Sequence, residues 1–461
     1  RGVFVTDTVY DMVILGAGSG GYAAALRGAQ LGLRVALIEA DKIGGTCLHR
    51  GCVPTKAILH SAETAEAVRE AASVGVNAVF QGLDMPAVQK YKNGVVSRMH
   101  KGLEGLVASR GIEVVRGWGR LVAKDTVEVN GRRYRGRNIV LASGSFSKTI
   151  GQEISGPVMT SDQALELNRV PSSAVILGGG VIGVEFASAW ASMGSRVTII
   201  EGLPRLVPNE DEAVSKQLER AFRKRKIAFK TNTMFESVER TATGVTVRTA
   251  DSKTYDAEVL LIAVGRGPAT ANLGYEEAGV AMDRGFVLAD DYGRTNVDGV
   301  WAVGDIVPGV QLAHRGFAQG IVVAEKIAGL DPRPVDDTLV PKVTFCEPEI
   351  ASVGLSEAQA IEIHGAEKVT TAEFNVAGNA KSQILGTQGF VKLVSLKDGP
   401  VVGFHAIGTR MGEQIGEGQL IVSWEADAHD VASLVHAHPT QNETIGEAAM
   451  ALAGKPLHNH G

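Results

Sequence analysis

The chain has 461 residues, 44% of them hydrophobic, with a formal charge of −5. That length and apolar content can bury two to four domain cores, and the mild acidity argues against nucleic acid as the main partner. Three cysteines exclude a disulfide scaffold and point to a reducing, cytoplasmic setting.

Residues 1–10 lack the basic region, apolar run and cleavage site of a secretory leader. The longest apolar runs, such as 259–264, are strand-sized, so no membrane partner is expected. Fifty-six glycines suit tight turns between strands and helices. The first such turn follows the buried-strand pattern Asp11-Met12-Val13-Ile14-Leu15. Gly16-Ala17-Gly18-Ser19-Gly20-Gly21 leads into a helical stretch over 22–31, and a second strand over 34–38 ends at Glu39, twenty-three residues after Gly16. A glycine triplet alone would also suit a plain turn. Together with strand, helix, strand and an acidic end it predicts a dinucleotide-binding unit. Gly16 makes the turn, Gly18 admits a pyrophosphate, Gly21 lets helix and strand pack, and Glu39 takes ribose hydroxyls.

Cys47 and Cys52 follow within Gly44-Gly45-Thr46-Cys47-Leu48-His49-Arg50-Gly51-Cys52-Val53-Pro54-Thr55-Lys56. A regular helix would hold that pair too far apart for a bridge. Gly44, Gly45 and Gly51 permit a distorted turn, and Pro54 suits a first helical turn, so a helix is expected to begin near Cys52. The helix terminus favours a thiolate there. The pair reads as a redox-active disulfide; the alternative is two buried cysteines that never react. From Cys47 to Lys56 the sequence resembles the pyridine nucleotide–disulfide oxidoreductases, and the likeness extends over about residues 10–457. The resemblance implies FAD on the first unit, with Thr46 and Lys56 beside it. It makes Cys47 the exchange thiol and lays Cys52 against the flavin. His49-Arg50 departs from the usual uncharged pair between the cysteines.

Residues 63–107 read as helices, with Gly94 and Gly102 as possible interruptions, and 111–130 as β-structure with a bend at Gly117-Trp118-Gly119. A strand over 138–142 ends in the small-residue turn Ser143-Gly144. The resemblance assigns Gly119, Ser143 and Gly144 to FAD. A second dinucleotide unit then appears: strand 174–177, Gly178-Gly179-Gly180-Val181-Ile182-Gly183, a helix to about Met193, and strand 196–200 ending at Glu201. Two copies imply two dinucleotides. Gly178, Gly180 and Gly183 repeat the glycine roles. Glu201 would bind an adenosine ribose but repel a 2′-phosphate, which favours NAD over NADP. The resemblance pairs Glu185 with Lys56 and gives Gly265 a second nicotinamide-nucleotide contact. A helix over 210–226 carries Arg220, Arg223, Lys224, Arg225 and Lys226, expected to form a solvated face.

Strand 295–303 runs to Asp305, which in the family binds the ribityl chain. Leu312-Ala313-His314 precedes a helix expected to begin near Arg315, whose N-terminus would face the flavin pyrimidine, and the resemblance places Ala313 at the flavin. From 341 onward alternating β-structure resembles the family's interface domain, with helices at 412–426 and 431–435. Cys346 there reads as a packed structural thiol. Near the end stands His436-Ala437-His438-Pro439-Thr440-Gln441-Asn442-Glu443. Thiol–disulfide exchange needs a base, and His438 oriented by Glu443 suits the role. In the family this histidine reaches the disulfide of the other subunit, implying a homodimer.

The fold expected is α/β: two Rossmann-like dinucleotide-binding domains plus a C-terminal α+β interface domain. The divisions are 1–149 (FAD, first part), 150–270 (NAD), 271–340 (FAD, second part) and 341–461 (interface). The His436-Ala437-His438 doublet resembles the branch that oxidises protein-bound dihydrolipoamide with NAD⁺. That implies a lipoyl-bearing acyltransferase of a 2-oxo acid dehydrogenase complex as partner. The competing reading is an NADPH-dependent reductase of a small disulfide, glutathione or mycothiol in type. No metal is assigned.

Overall fold

The computed structural model describes residues 4–459, so the outermost residues of the 1–149 and 341–461 divisions lie outside it. The chain forms two compact units. One takes the chain up to Ile58 together with 86–148 and 266–337; the other takes 59–85, 149–265 and everything from Thr338.

The first unit is built on a seven-stranded sheet. Strands Glu113–Arg116, Val35–Glu39, Phe4–Leu15 and Arg132–Leu141 run parallel in that order. Val300–Ala302 adds in parallel to the last of them. Residues 12–15 of the first strand and Val35–Ile38 of the second are apolar on both faces because both faces are covered. Val13, Leu15, Ala36 and Ile38 face one cluster, while Met12, Ile14, Val35 and Leu37 face the other. Helices Ser19–Gln30 and Ala313–Ile327 cross closely enough that a Cβ on Gly320 would lie 2.3 Å from the Gly20 carbonyl oxygen.

The second unit contains a five-stranded parallel sheet ordered Ala228–Lys230, Arg196–Ile200, Ser173–Leu177, Val259–Ile262, Val158–Met159. A three-stranded antiparallel sheet accompanies it. Its C-terminal part is a five-stranded antiparallel sheet in the order Lys342–Thr344, Glu349–Gly354, Val401–Gly408, Phe390–Leu396, Val369–Asn375. Helices Ile415–Ser423 and Glu443–Leu452 cover its apolar face. Asp211, which caps helix Glu212–Lys224, reaches Lys392 of this sheet at 2.9 Å; both side chains are buried. The fold class expected from sequence is present.

Several local expectations are corrected. Helix Met85–Ser109 runs unbroken through Gly94 and Gly102. A glycine costs about 1 kcal/mol in a helix interior, which tertiary packing readily outweighs. The strand expected over 295–303 is only Val300–Ala302, and the helix expected over 431–435 is Ala428–Ala432. Arg225 is not on a solvated face. Its guanidinium is largely buried and donates to Ser188 Oγ and the Glu347 carbonyl, both at 2.7 Å, and to Ser192 Oγ at 2.6 Å. Among the described residues, no helix is long and apolar enough to cross a membrane.

Candidate active site

In the first unit, the turn after Leu15 is shaped as a dinucleotide cradle. Gly16 has φ of 103°, and a Cβ there would sit 2.3 Å from the Ala142 carbonyl oxygen. A Cβ on Gly21 would come within 1.8 Å of the Gly16 carbonyl oxygen. Only glycine fits either place. Gly18 begins helix Ser19–Gln30 with no side-chain cap, leaving terminal N–H groups for a phosphate. Glu39 accepts from the Ala17 amide at 2.8 Å and the Asp41 amide at 2.8 Å, holding its carboxylate at the strand end. These features fit the adenosine half of FAD.

The redox segment packs directly on this cradle. The Gly44 amide donates to the Ala17 carbonyl at 2.8 Å, and a Cβ on Gly45 would lie 2.6 Å from Gly18 Cα. A short helix, Gly45–Arg50, carries Thr46 and Cys47. It stops at Gly51, and the helix Cys52–Glu70 begins at Cys52. The expected distortion is therefore a break between two helices. It brings the Cys47 and Cys52 thiols within hydrogen-bonding reach of each other, the dithiol arrangement of the pair. Hydrogen bonding to Cys52, then burial, pushes the Cys47 thiol far above its usual range, with Lys56 pulling the other way. Such a thiol keeps its proton near neutrality, so exchange chemistry here calls for a base.

Ser143, Gly144 and Asp305 lie just beyond strand ends. Ser143 Oγ accepts from the buried Tyr275 hydroxyl at 2.9 Å. Gly144 is open, with nothing within 4 Å of an added Cβ. Asp305 accepts from Ser145 Oγ at 2.5 Å, and Ser145 in turn accepts from Arg266 Nε at 2.7 Å. The helix expected to begin near Arg315 starts earlier, at Ala313, and Gln319 accepts from the Gly304 amide at 2.8 Å. Gly119 is packed against Leu15 and Ile38. Tyr275, Ser145 and Arg266 were missed in the sequence because each acts through a partner more than a hundred residues away.

In the second unit the cradle recurs. A Cβ on Gly178 would meet the Ala263 carbonyl oxygen at 2.4 Å, and one on Gly183 would meet the Gly178 carbonyl oxygen at 1.9 Å. Gly180 and Gly265 are open to an approaching ligand. Glu201 accepts from the Gly179 amide at 2.6 Å and the Leu203 amide at 2.7 Å. Arg205 is turned onto the Pro208 and Glu210 carbonyls at 2.8 and 3.0 Å. The strand end therefore presents a carboxylate while Arg205 is engaged with backbone carbonyls, an arrangement that fits NAD. Glu185 is buried and accepts from the Phe345 amide at 2.9 Å.

His438 and Glu443 are brought together in this unit: Nδ1 lies 2.8 Å from Oε1, with His438 largely exposed. The Thr440 amide and His438 hold the Glu443 carboxyl below its usual range, against the opposing effect of burial. Cys346 is buried, and its thiol donates to the Pro348 carbonyl at 3.2 Å.

The family described as pyridine nucleotide-disulphide oxidoreductase matches residues 10–320, and its dimerisation domain matches residues 340–449. A dihydrolipoyl dehydrogenase of Bacillus subtilis is 37% identical, covering 98% of this chain and 99% of its own. The mitochondrial dihydrolipoyl dehydrogenase of Pisum sativum is 36% identical over 97% and 92%. Among solved structures, LpdA of Mycobacterium tuberculosis superposes with a TM-score of 0.89 at 26% identity, covering 96% of this chain and 99% of its own. The flavoprotein disulfide reductase RclA of Escherichia coli follows at 0.86 and 28%, covering 95% and 99%.

Proposed function

The chain belongs to the pyridine nucleotide-disulphide oxidoreductase family, and within it we propose that the protein oxidises dihydrolipoyl groups with NAD⁺, using FAD. The partner carrying those groups is the lipoyl-bearing acyltransferase of a 2-oxo acid dehydrogenase complex. The observation that carries this reading is the Cys47–Cys52 pair, set at a helix break directly on the first dinucleotide cradle. The dihydrolipoyl dehydrogenase relatives, matched over nearly their whole length, support the choice of branch.

In its oxidised form the pair is a disulfide. A dihydrolipoyl thiolate attacks Cys47, the S–S bond breaks, and Cys52 leaves as the thiolate at the helix start, where the dipole favours it. The second lipoyl thiol gives its proton to His438, held by Glu443, and displaces Cys47. Lipoamide leaves with a closed ring and the protein holds two reduced sulfurs. FAD, when bound, would supply the two-electron chemistry that links this sulfur pair to NAD⁺. Gly16, Gly18, Gly21, Glu39, Thr46, Gly119, Ser143, Gly144, Asp305 and Ala313 hold the flavin nucleotide. Gly178, Gly180, Gly183, Glu201 and Gly265 hold NAD. Lys56 is a flavin-side cation, and His438 serves the disulfide of a second copy. The domain divisions given above, and a cytoplasmic setting, belong to the same reading.

The test is a paired assay on FAD-loaded protein. One arm oxidises dihydrolipoamide with NAD⁺ or NADP⁺; the other oxidises NADH or NADPH with lipoamide, glutathione disulfide or mycothiol disulfide. NAD⁺-linked dihydrolipoamide turnover is expected. Reduction of another disulfide by NADPH, with lipoamide inert, would overturn the reading.

A further inference from the structure

The exposed His438 is held by a loop that two carboxylates grip in nested fashion. The inner one is Glu443, which accepts from His438 Nδ1 and, at 2.8 Å, from the Thr440 amide. The outer one is Glu417, on helix Ile415–Ser423. Glu417 Oε1 lies 2.7 Å from His436 Nε2, and Oε2 accepts from Asn442 Nδ2 at 2.6 Å. His436 stands two residues before His438, and Asn442 immediately precedes Glu443. One side chain therefore ties both ends of loop 436–442.

The outer grip is sheltered where the base is not: the side-chain exposures are 12% for His436 and 22% for Glu417, against 72% for His438. The His436 ring lies flush on helix Glu443–Leu452, where a Cβ on Gly446 would come 2.7 Å from Nδ1. Glu417 and Glu443 are the charged groups acting on His436, joined by the Leu434 carbonyl. Further ties of the loop are neutral, among them Asn379 Nδ2 to the Thr440 carbonyl and Gln441 Nε2 to the Thr409 carbonyl, each 2.9 Å.

We propose that Glu417 is a positioning residue for the base: by holding His436 and Asn442 it fixes the separation and direction of His438 and Glu443. This rests on the reading of His438 as the base. The carboxylate matters because a single donor or acceptor could tie only one end, and a misplaced base slows proton transfer without touching flavin or nicotinamide.

The test compares wild type, Glu417→Gln, Glu417→Ala, Asn442→Ala and His438→Gln as holoprotein. Dihydrolipoamide turnover is followed across pH beside NADH oxidation by ferricyanide, which needs no base. Glu417→Ala is expected to lower the dihydrolipoamide kcat about tenfold with KM little changed, and to move the acid limb of the pH profile. Its ferricyanide rate should stay within about twofold of wild type, and in the His438→Gln background its cost should fall below about twofold. An undiminished loss in that background, or an unchanged kcat in the single variant, overturns the proposal. Glu417→Gln and Asn442→Ala carry the comparison if Glu417→Ala does not fold. If wild type itself fails to turn over dihydrolipoamide, the functional reading has failed separately. Alkylation of reduced Cys47 by iodoacetamide, read by peptide mass against pH, then decides: the Glu417 variants must shift toward His438→Gln, or the inference falls.

Discussion

Cys47 holds its proton because Cys52 and burial both oppose ionisation, whereas His438 sits exposed with its partner already in place. The exchange thiol and its base are thus built for complementary tasks. Cys47→Ser is expected to lower dihydrolipoamide turnover by more than about a thousandfold, while NADH oxidation by ferricyanide persists; equal loss of both would show damage to the flavin site instead. His436 gives a pH signature in stability. Its hydrogen bond to Glu417, outweighing burial, raises its affinity for a proton above that of the unfolded chain. The resulting stabilisation is complete below the unfolded histidine range near pH 6.5 and is lost as pH climbs through the folded value. The Tm gap between wild type and Glu417→Gln should therefore be widest in mild acid and shrink as pH rises, as thermal melts across pH would record.

The two cradles are elements in which sequence spacing and tertiary geometry coincide, and both were legible from glycine positions and strand patterns alone. Gly21→Ala forces a Cβ into the Gly16 carbonyl, a backbone clash that no rotamer relieves. The variant should purify with little flavin, measured as the ratio of flavin to protein absorbance, and lose about 1–3 kcal/mol of stability. In the second cradle Glu201→Arg should raise the NADP⁺ to NAD⁺ ratio of kcat/KM by about tenfold or more, read by steady-state kinetics; an unchanged ratio would remove Glu201 as the discriminator. Where the sequence misled, the deciding contacts were distant. Arg225 lies in a run of cations that reads as surface. Its burial is set by Ser188, Ser192 and Glu347, whose proximity no local pattern encodes. Glu417 carries no signal for the same reason: its partners lie across a helix, a turn and a second helix. The break at Gly51 was foreseen as a distortion, but the short helix Gly45–Arg50 before it was not, because six residues carry too little periodicity to register.

At the scale of the whole molecule, each unit is assembled from three separated stretches of chain. Within the second unit, the buried Lys392–Asp211 pair ties the cap of helix Glu212–Lys224 to the C-terminal sheet, with Glu357 also accepting from Lys392 at 2.6 Å. Although burial opposes it, the Lys392 hydrogen bond and the Glu357 amide hold Asp211 below the usual carboxylate range. Lys392→Met strands a buried charge and should cost about 3–5 kcal/mol in chemical denaturation, whereas adding Asp211→Leu should recover part of that loss. No recovery would mean the pair is not the joint.

The interleaving also constrains how the protein comes into being. Strand Val300–Ala302 pairs with residues Ile139 to Leu141, so a nascent chain leaves the ribosome with that edge bare until 161 further residues, from Leu141 to Ala302, have been made. At roughly 5–20 residues per second the wait lasts about 8–32 s. Throughout it an apolar strand edge stands open to other chains. Assembling one unit from separated stretches of chain therefore predicts more misassembly during synthesis when chaperones are scarce or translation is slowed.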